Sequence, residues 1–251
     1  RLQGGAGMKV FLFGLSGKMG RALLETAAES DIEITGGFDR IPHPTVPTFT
    51  DAAQIDVQYD VIVDFSRPQT LDDVIAAAVA KNAPVVLATT GYSDAELAKI
   101  RKLAESVPVL RSGNMSVGVN VLLELVERAV AALGDTYDIE IVEKHHNQKA
   151  DAPSGTAVML AEAAAAGRQN SRFTYGRQGA ALRDKAEIGI HAVRGGTIVG
   201  EHDVIFAGQD ETITLSHTAL SRKIFAVGAF RAAKFLLGAQ PGLYTMRDAL
   251  Q

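Results

Sequence analysis

The chain has 251 residues, 47% of them hydrophobic and 22% charged, and contains no Cys. Zero Cys excludes disulfide frameworks, Cys₄ zinc sites and thiol catalysis, and it suits a reducing cytosol. With 25 basic against 29 acidic residues the net charge is −4, so no broad footprint for nucleic acid exists, and apolar runs such as Val61-Ile62-Val63 are far too short to span a bilayer. A cytoplasmic protein is expected, whose function rests on local sites and not on bulk composition.

Residues 1–7 show no periodicity and read as an added leader, with the native start at Met8. Val10-Phe11-Leu12-Phe13 predicts a buried strand, followed by Gly14 to Gly20 and a helix with Met19, Leu23, Leu24 and Ala27 on one stripe. Ile32-Glu33-Ile34 leads into Phe38-Asp39-Arg40. Strands are predicted over 61–65, 84–88 and 107–110, and helices over 71–81 and 93–104. Nearly continuous apolar strands separated by helices predict a doubly wound α/β domain, its parallel sheet covered on both faces.

The second half reads differently. A helix over 119–133 precedes an alternating strand over 137–143, and a further helix starts near Ser154. A Gly-rich, basic loop over 168–183 follows. Four strand-like runs (187–193, 197–199, 203–207 and 212–216) predict a hairpin-rich second domain, before a last helix over 224–237.

Gly14-Leu15-Ser16-Gly17-Lys18-Met19-Gly20-Arg21 lies between a predicted strand and a predicted helix. Glycines there permit a tight turn and close approach of a pyrophosphate, which the helix N-terminus would hold through its N–H groups. An acid about 20 residues on is expected to bind ribose hydroxyls, and Asp39 stands 19 residues after Gly20. Asp64-Phe65-Ser66-Arg67-Pro68 and Ala88-Thr89-Thr90-Gly91 follow later strands, where they would flank the nicotinamide end of a dinucleotide.

The densest constellation runs from Glu143 to Thr156 and holds His145, His146, Lys149, Asp151, Ser154 and Gly155. Adjacent histidines on an extended strand point to opposite faces, so His145 and His146 are poor joint ligands and no metal is expected. Pro153 and Ser154 suit a helix start, whose Gly155 and Thr156 N–H groups could bind a carboxylate beside the cations. Ser154 is not in a Gly-x-Ser-x-Gly elbow, which argues against serine hydrolysis.

The string Glu-x-His-His-x-x-Lys-x-Asp-Ala-Pro-Ser-Gly-Thr-Ala, unbroken from Glu143 to Ala157, resembles the signature of the dihydrodipicolinate reductases of lysine and diaminopimelate biosynthesis. Gly14-x-x-Gly17-x-Met19-Gly20-Arg21, Asp64-Phe65-Ser66, Thr89-Thr90-Gly91, Asn114-Met115-Ser116 and Arg194-x-Gly196-x-Ile198-Val199-Gly200-Glu201-His202 extend the likeness along the chain. It implies a Rossmann-like domain over 8–116 plus 223–251, and an α+β domain over 117–222 on an open mixed sheet that binds substrate and builds a homotetramer.

The resemblance further implies hydride transfer from NADH or NADPH to a cyclic dicarboxylate, with no nucleic-acid or membrane partner. His145 is then the acid, Lys149 binds substrate and assists protonation, and His146, Gly155 and Thr156 hold carboxylates. Cofactor contacts are implied at Gly14, Ser16, Gly17, Lys18, Met19, Asp39, Arg40, Phe65, Ser66, Arg67, Ala88, Thr89, Thr90, Gly113, Asn114 and Met115. Two positions depart from the family pattern: Ser112-Gly113 replaces an Ala-Pro-like pair, and Asp39-Arg40 replaces Glu-Arg. An amino-acid dehydrogenase acting on an open-chain imine, or a nucleotide sensor without turnover, remain alternatives on the residues alone.

Overall fold

The first strand shows why the amino-terminal half folds as it does. In the computed structural model, which describes residues 7–251, β1 (Met8–Phe13) sends Val10 and Leu12 to one face and Phe11 and Phe13 to the other. Both sets are fully buried, so the continuous apolar run reflects cover on two sides. Burying each such side chain contributes about 1.5–3 kcal/mol.

The chain continues through α1 (Lys18–Ala28), β2 (Ile32–Phe38), β3 (Thr48–Phe49), β4 (Val61–Asp64) and α2 (Leu71–Lys81). It then forms β5 (Val85–Leu87), α3 (Asp94–Ala104), β6 (Pro108–Arg111) and α4 (Val117–Leu133). Ser93 caps α3 in a reciprocal pair with Glu96, which accounts for the sharp start of that helix.

The next elements are β7 (Asp138–His145), α5 (Gly155–Ala166), β8 (Arg172–Tyr175), β9 (Glu187–Arg194), β10 (Gly200–Ala207) and β11 (Thr212–Ala219). Finally α6 (Lys223–Leu236), β12 (Gly242–Tyr244) and α7 (Met246–Leu250) close the chain.

Two compact units result, one built from the described residues up to Val117 with Arg222–Gln251, the other from Gly118–Ser221. The first carries a seven-stranded parallel sheet in the order β12-β6-β5-β4-β1-β2-β3. This is a doubly wound sheet with its switch point between β1 and β4, the place where such sheets bind ligands. On one face α6 packs tightly: a Cβ at Gly228 would stand 1.7 Å from the Met115 carbonyl oxygen.

The second unit is a five-stranded mixed sheet, β11-β10-β7-β9-β8. Its core joins Ile139 and Ile141 of β7 to Val204 and Phe206 of β10 under Leu160 and Ala164 of α5. The hairpin expectation needs correcting. Only β10 and β11 form a hairpin among these strands, whereas β9 and β10 lie on opposite sides of β7, and β9 runs parallel to both β7 and β8. Residues 197–199 are not a strand, because Thr197 lies in the turn that reverses the chain ahead of β10. Conversely, the basic segment contains β8, an edge strand held to Glu187 by Arg172 and Arg177. Residues 1–6, most of the expected leader, lie outside the described residues. No helix among the described residues is long and apolar enough to cross a membrane.

Candidate active site

In the first unit the expected nucleotide residues gather at the carboxyl ends of adjacent strands. Gly14 has φ +85°, and a Cβ there would meet the Phe65 carbonyl oxygen at 2.7 Å, so the glycine loop lies directly against the β4 loop. Gly17 caps α1 with no side-chain bond to its first turn, which suits an anion in place of a capping hydroxyl. Lys18 is exposed beside it and Met19 is half-buried. Asp39 is tied to the same loop: its Oδ2 accepts the Ser16 N–H at 2.8 Å and its Oδ1 the Ile41 N–H at 3.2 Å. Arg40 is exposed next to it.

Asp64, at the end of β4, organises the neighbouring loop. Burial pushes its carboxyl up, against the pull of the Ser66 hydroxyl and N–H and of Thr89 and Tyr92. Ser66 N donates to it at 2.9 Å and Tyr92 at 3.2 Å, which shapes Phe65-Ser66-Arg67. The Ala88 N–H donates to the Asp64 carbonyl at 2.9 Å. Thr89 is buried and Thr90 exposed, with Thr90 Cγ2 3.9 Å from the Cβ position of Gly113. Asn114 is buried and accepts the Ser116 N–H through its side-chain oxygen at 2.9 Å. Met115 is buried, with its side chain in the core and its carbonyl against Gly228. Taken together the loops fit a dinucleotide.

In the second unit β7 alternates strictly, and its inward positions are Ile139, Ile141, Glu143 and His145. An apolar stripe thus ends in two buried polar residues, an arrangement that folding alone does not favour. Glu143 is 0% exposed yet fully partnered. It accepts both Arg194 Nη groups at 2.7 Å, the Ser154 N–H at 2.9 Å, and His145 Nδ1 at 2.6 Å. Burial works to raise its carboxyl, but Arg194, His145 and Ser154 together hold it below the usual carboxylate range.

Ser154 caps α5, accepting the Ala157 N–H at 3.2 Å, and its hydroxyl meets His202 Nε2 at 2.9 Å. The His202 ring stands edge-on to His145 with centroids 5.1 Å apart. Burial, reinforced by His145, pushes His202 down to about 4, so it is neutral at physiological pH.

β7 ends at His145, and His146 is half-buried in the loop beyond. Lys149 Nζ pairs with Asp151 at 2.9 Å, and the Asp151 carbonyl accepts Arg194 at 2.7 Å, so a continuous network links Lys149 to His145. Gly155 opens α5, exposed and with nothing within 4 Å of its Cβ position, and Thr156 follows half-buried. Sequence reasoning gave no role to Glu143, Arg194 or His202. The available signal was Glu143 itself, two residues before His145 on the apolar face.

A dinucleotide-type sheet with a second unit carrying an imidazole–carboxylate pair defines a two-domain, nucleotide-dependent oxidoreductase. The chain belongs to the dihydrodipicolinate reductase family: the description "Dihydrodipicolinate reductase, N-terminus" matches residues 8–115 and "Dihydrodipicolinate reductase, C-terminus" residues 118–250. It is 47% identical to the 4-hydroxy-tetrahydrodipicolinate reductase of Clostridium novyi (strain NT) over 97% of this chain and 98% of that one. The corresponding reductase of Caldanaerobacter subterraneus subsp. tengcongensis is 46% identical over the same shares. A dipicolinate-bound dihydrodipicolinate reductase from Paenisporosarcina sp. TG-14 has the same fold, with TM-score 0.81 and 24% identity over 98% of this chain and 100% of that one.

Proposed function

We propose that His145 and Lys149 carry the chemistry of this chain, and that NADH or NADPH occupies the glycine-loop unit. The family's activity is reduction by 4-hydroxy-tetrahydrodipicolinate reductase, in lysine and diaminopimelate biosynthesis. The observation that carries the reading is the buried Glu143–His145 pair, joined through Arg194 and Asp151 to Lys149. When bound, the nicotinamide ring supplies a hydride; the protein must supply the proton and hold a doubly charged ligand.

Gly14, Ser16, Gly17 and the first turn of α1 would bind the pyrophosphate, Asp39 and Arg40 the adenosine ribose, and the 65–67, 88–90 and 113–114 segments the nicotinamide side. Lys149 contributes charge for one substrate carboxylate, and Gly155 and Thr156 at the start of α5 contribute N–H groups for it. His146 stands at the edge of that surface for the other carboxylate. His145 delivers the proton, a contribution of about 10²–10⁴ in rate for a well-placed acid. The dipicolinate seen in the Paenisporosarcina enzyme supports a cyclic dicarboxylate as ligand class.

A homotetramer completes the reading, supported by the two open edges of the five-stranded sheet, β11 and β8, which need cover. Light scattering would return about four times 26.6 kDa, and a monomer across working concentrations would refute it. The activity test supplies the cyclic substrate, or an open-chain imine, with each cofactor to wild type, His145→Gln and Lys149→Ala. Cofactor consumption with the cyclic compound alone, lost in both variants, is expected. Undiminished turnover in folded His145→Gln would overturn the assignment.

A further inference from the structure

We infer that Glu143, clamped by Arg194 and the Ser154 N–H, is the positioning residue that decides which nitrogen of His145 meets the substrate. The inference rests on reading His145 as the acid, and adds how that acid is set.

Glu143 Oε2 takes the Nδ1 side of His145, so the neutral ring carries its hydrogen on Nδ1 and turns Nε2 away from the carboxylate. Protonated, the ring gives its Nε2 hydrogen to substrate. It is left neutral with Nδ1–H on Glu143, and Glu143 remains ionised throughout. Arg194 enforces that last condition. Its two parallel bonds and charge stabilise the carboxylate, so the proton stays on the imidazole and does not pass to Glu143. Arg194 is also the direct neighbour of His145 across the parallel β7–β9 pair, and His202 that of Glu143 across the antiparallel β7–β10 pair, so strand pairing places the whole set.

The charged and titratable groups around His145 come from five elements: Glu143 on β7, Arg194 on β9, His202 on β10, its cross-strand partner His217 on β11, and Lys149 with Asp151 in the loop. His202 and His217 are both pushed down by burial, which leaves Glu143 and Arg194 as the ionised groups bonded nearest the ring. The neutral His202 ring stands edge-on to it and is itself held by the Ser154 hydroxyl.

Glu143→Gln separates this role from mere packing. Oε1 receives two fixed donors, Arg194 Nη2 and the Ser154 N–H, whereas Oε2 receives one, Arg194 Nη1, beside the His145 ring, so the amide oxygen takes the Oε1 position. The amide nitrogen then faces His145 Nδ1 and donates to it, which reverses the tautomer. Nitrogen-15 NMR of the full-length protein should place the neutral His145 hydrogen on Nδ1 in wild type and on Nε2 in Glu143→Gln.

In pH profiles, the alkaline limb that disappears in His145→Gln should move down by about one unit in Glu143→Gln, because an opposite charge is lost. It should move up in Arg194→Met, which leaves Glu143 uncompensated. Glu143→Gln should lower kcat about 10- to 100-fold with KM changed less than threefold. A wild-type ring with its neutral hydrogen on Nε2, or an unmoved limb in folded Glu143→Gln, overturns the inference. The wild-type spectrum decides even if both variants fail to fold. Unaltered kcat in His145→Gln would instead refute the acid assignment, with the tautomer result left standing.

Discussion

A Cβ at Gly200 would stand 3.0 Å from Nε2 of His145 and 3.4 Å from its Cδ2. Gly200 begins β10, and the space it leaves is filled by the imidazole edge that carries Nε2 and Cδ2. Gly200→Ala should therefore displace the ring while leaving the sheet folded. We expect kcat to fall about tenfold or more, since small misplacements near reacting groups are costly. Steady-state kinetics with a matched unfolding curve would check this; wild-type turnover would show that the ring adapts without loss.

Lys149 is held by Asp151 and is one-fifth exposed, not a freely solvated loop lysine. If Lys149 serves as proposed, Lys149→Ala should reduce kcat about 10²-fold and raise the substrate KM, because it removes a positioned charge. NADH affinity, read by fluorescence titration, should stay within about twofold of wild type. A parallel loss of NADH binding would point to misfolding.

Cofactor choice turns on Asp39 and Arg40. Both Asp39 oxygens already accept backbone N–H groups, yet a carboxylate retains lone pairs for ribose hydroxyls and would repel a 2′-phosphate. Arg40 is exposed and able to pair with that phosphate. Use of both cofactors is expected, with Arg40→Ala weakening NADPH far more than NADH in calorimetric titration. Equal losses would remove Arg40 from the phosphate site.

Stability should fall on acidification. His202 has an ordinary value of 6.5 and about 4 when folded, so between those values the unfolded chain binds more protons. Its contribution is fully present above pH 6.5, diminishes as pH drops, and is lost as pH passes 4. Glu143, lowered on folding, adds a loss in the same direction below the usual carboxylate range. The His202 contribution is at most about 3 kcal/mol. Urea unfolding at successive pH values should show the slope, and a folded His202→Gln protein should flatten it.

Gly228 packs on the Met115 carbonyl, a backbone atom that cannot swing aside. Gly228→Ala should cost about 1–3 kcal/mol or more through overpacking, despite alanine's better helix propensity. Thermal unfolding measures it; a gain in stability would show that α6 can lift from the sheet without penalty.

Much of the first unit is legible in the sequence because β1 and β4 are unbroken apolar runs and the Gly14–Gly20 turn falls between strand and helix. The second unit is less so. β8 holds through edge pairing and two arginines on Glu187, a tertiary cause with no local pattern. Three-residue β12 carries too little period to read. Within the site, His145 and Lys149 lie in one conspicuous string, but Arg194 and His202 reach it only by strand pairing across 51 and 59 positions of Glu143. Met115 reads as a site residue from its neighbours, and its burial under α6 is a tertiary effect with no local pattern.

The alternation of β7 has a consequence for folding as well as for chemistry. Glu143 and His145 share a face with Ile139 and Ile141, so a one-residue slip of this strand would turn all four toward the opposite side. A slipped chain could remain compact and retain much of its helix, yet it would lose the carboxylate, the imidazole and the arginine clamp together. Recovered turnover after refolding thus counts molecules in which the central strand has found its correct partners, and distinguishes them from collapsed molecules that spectroscopy would score as folded.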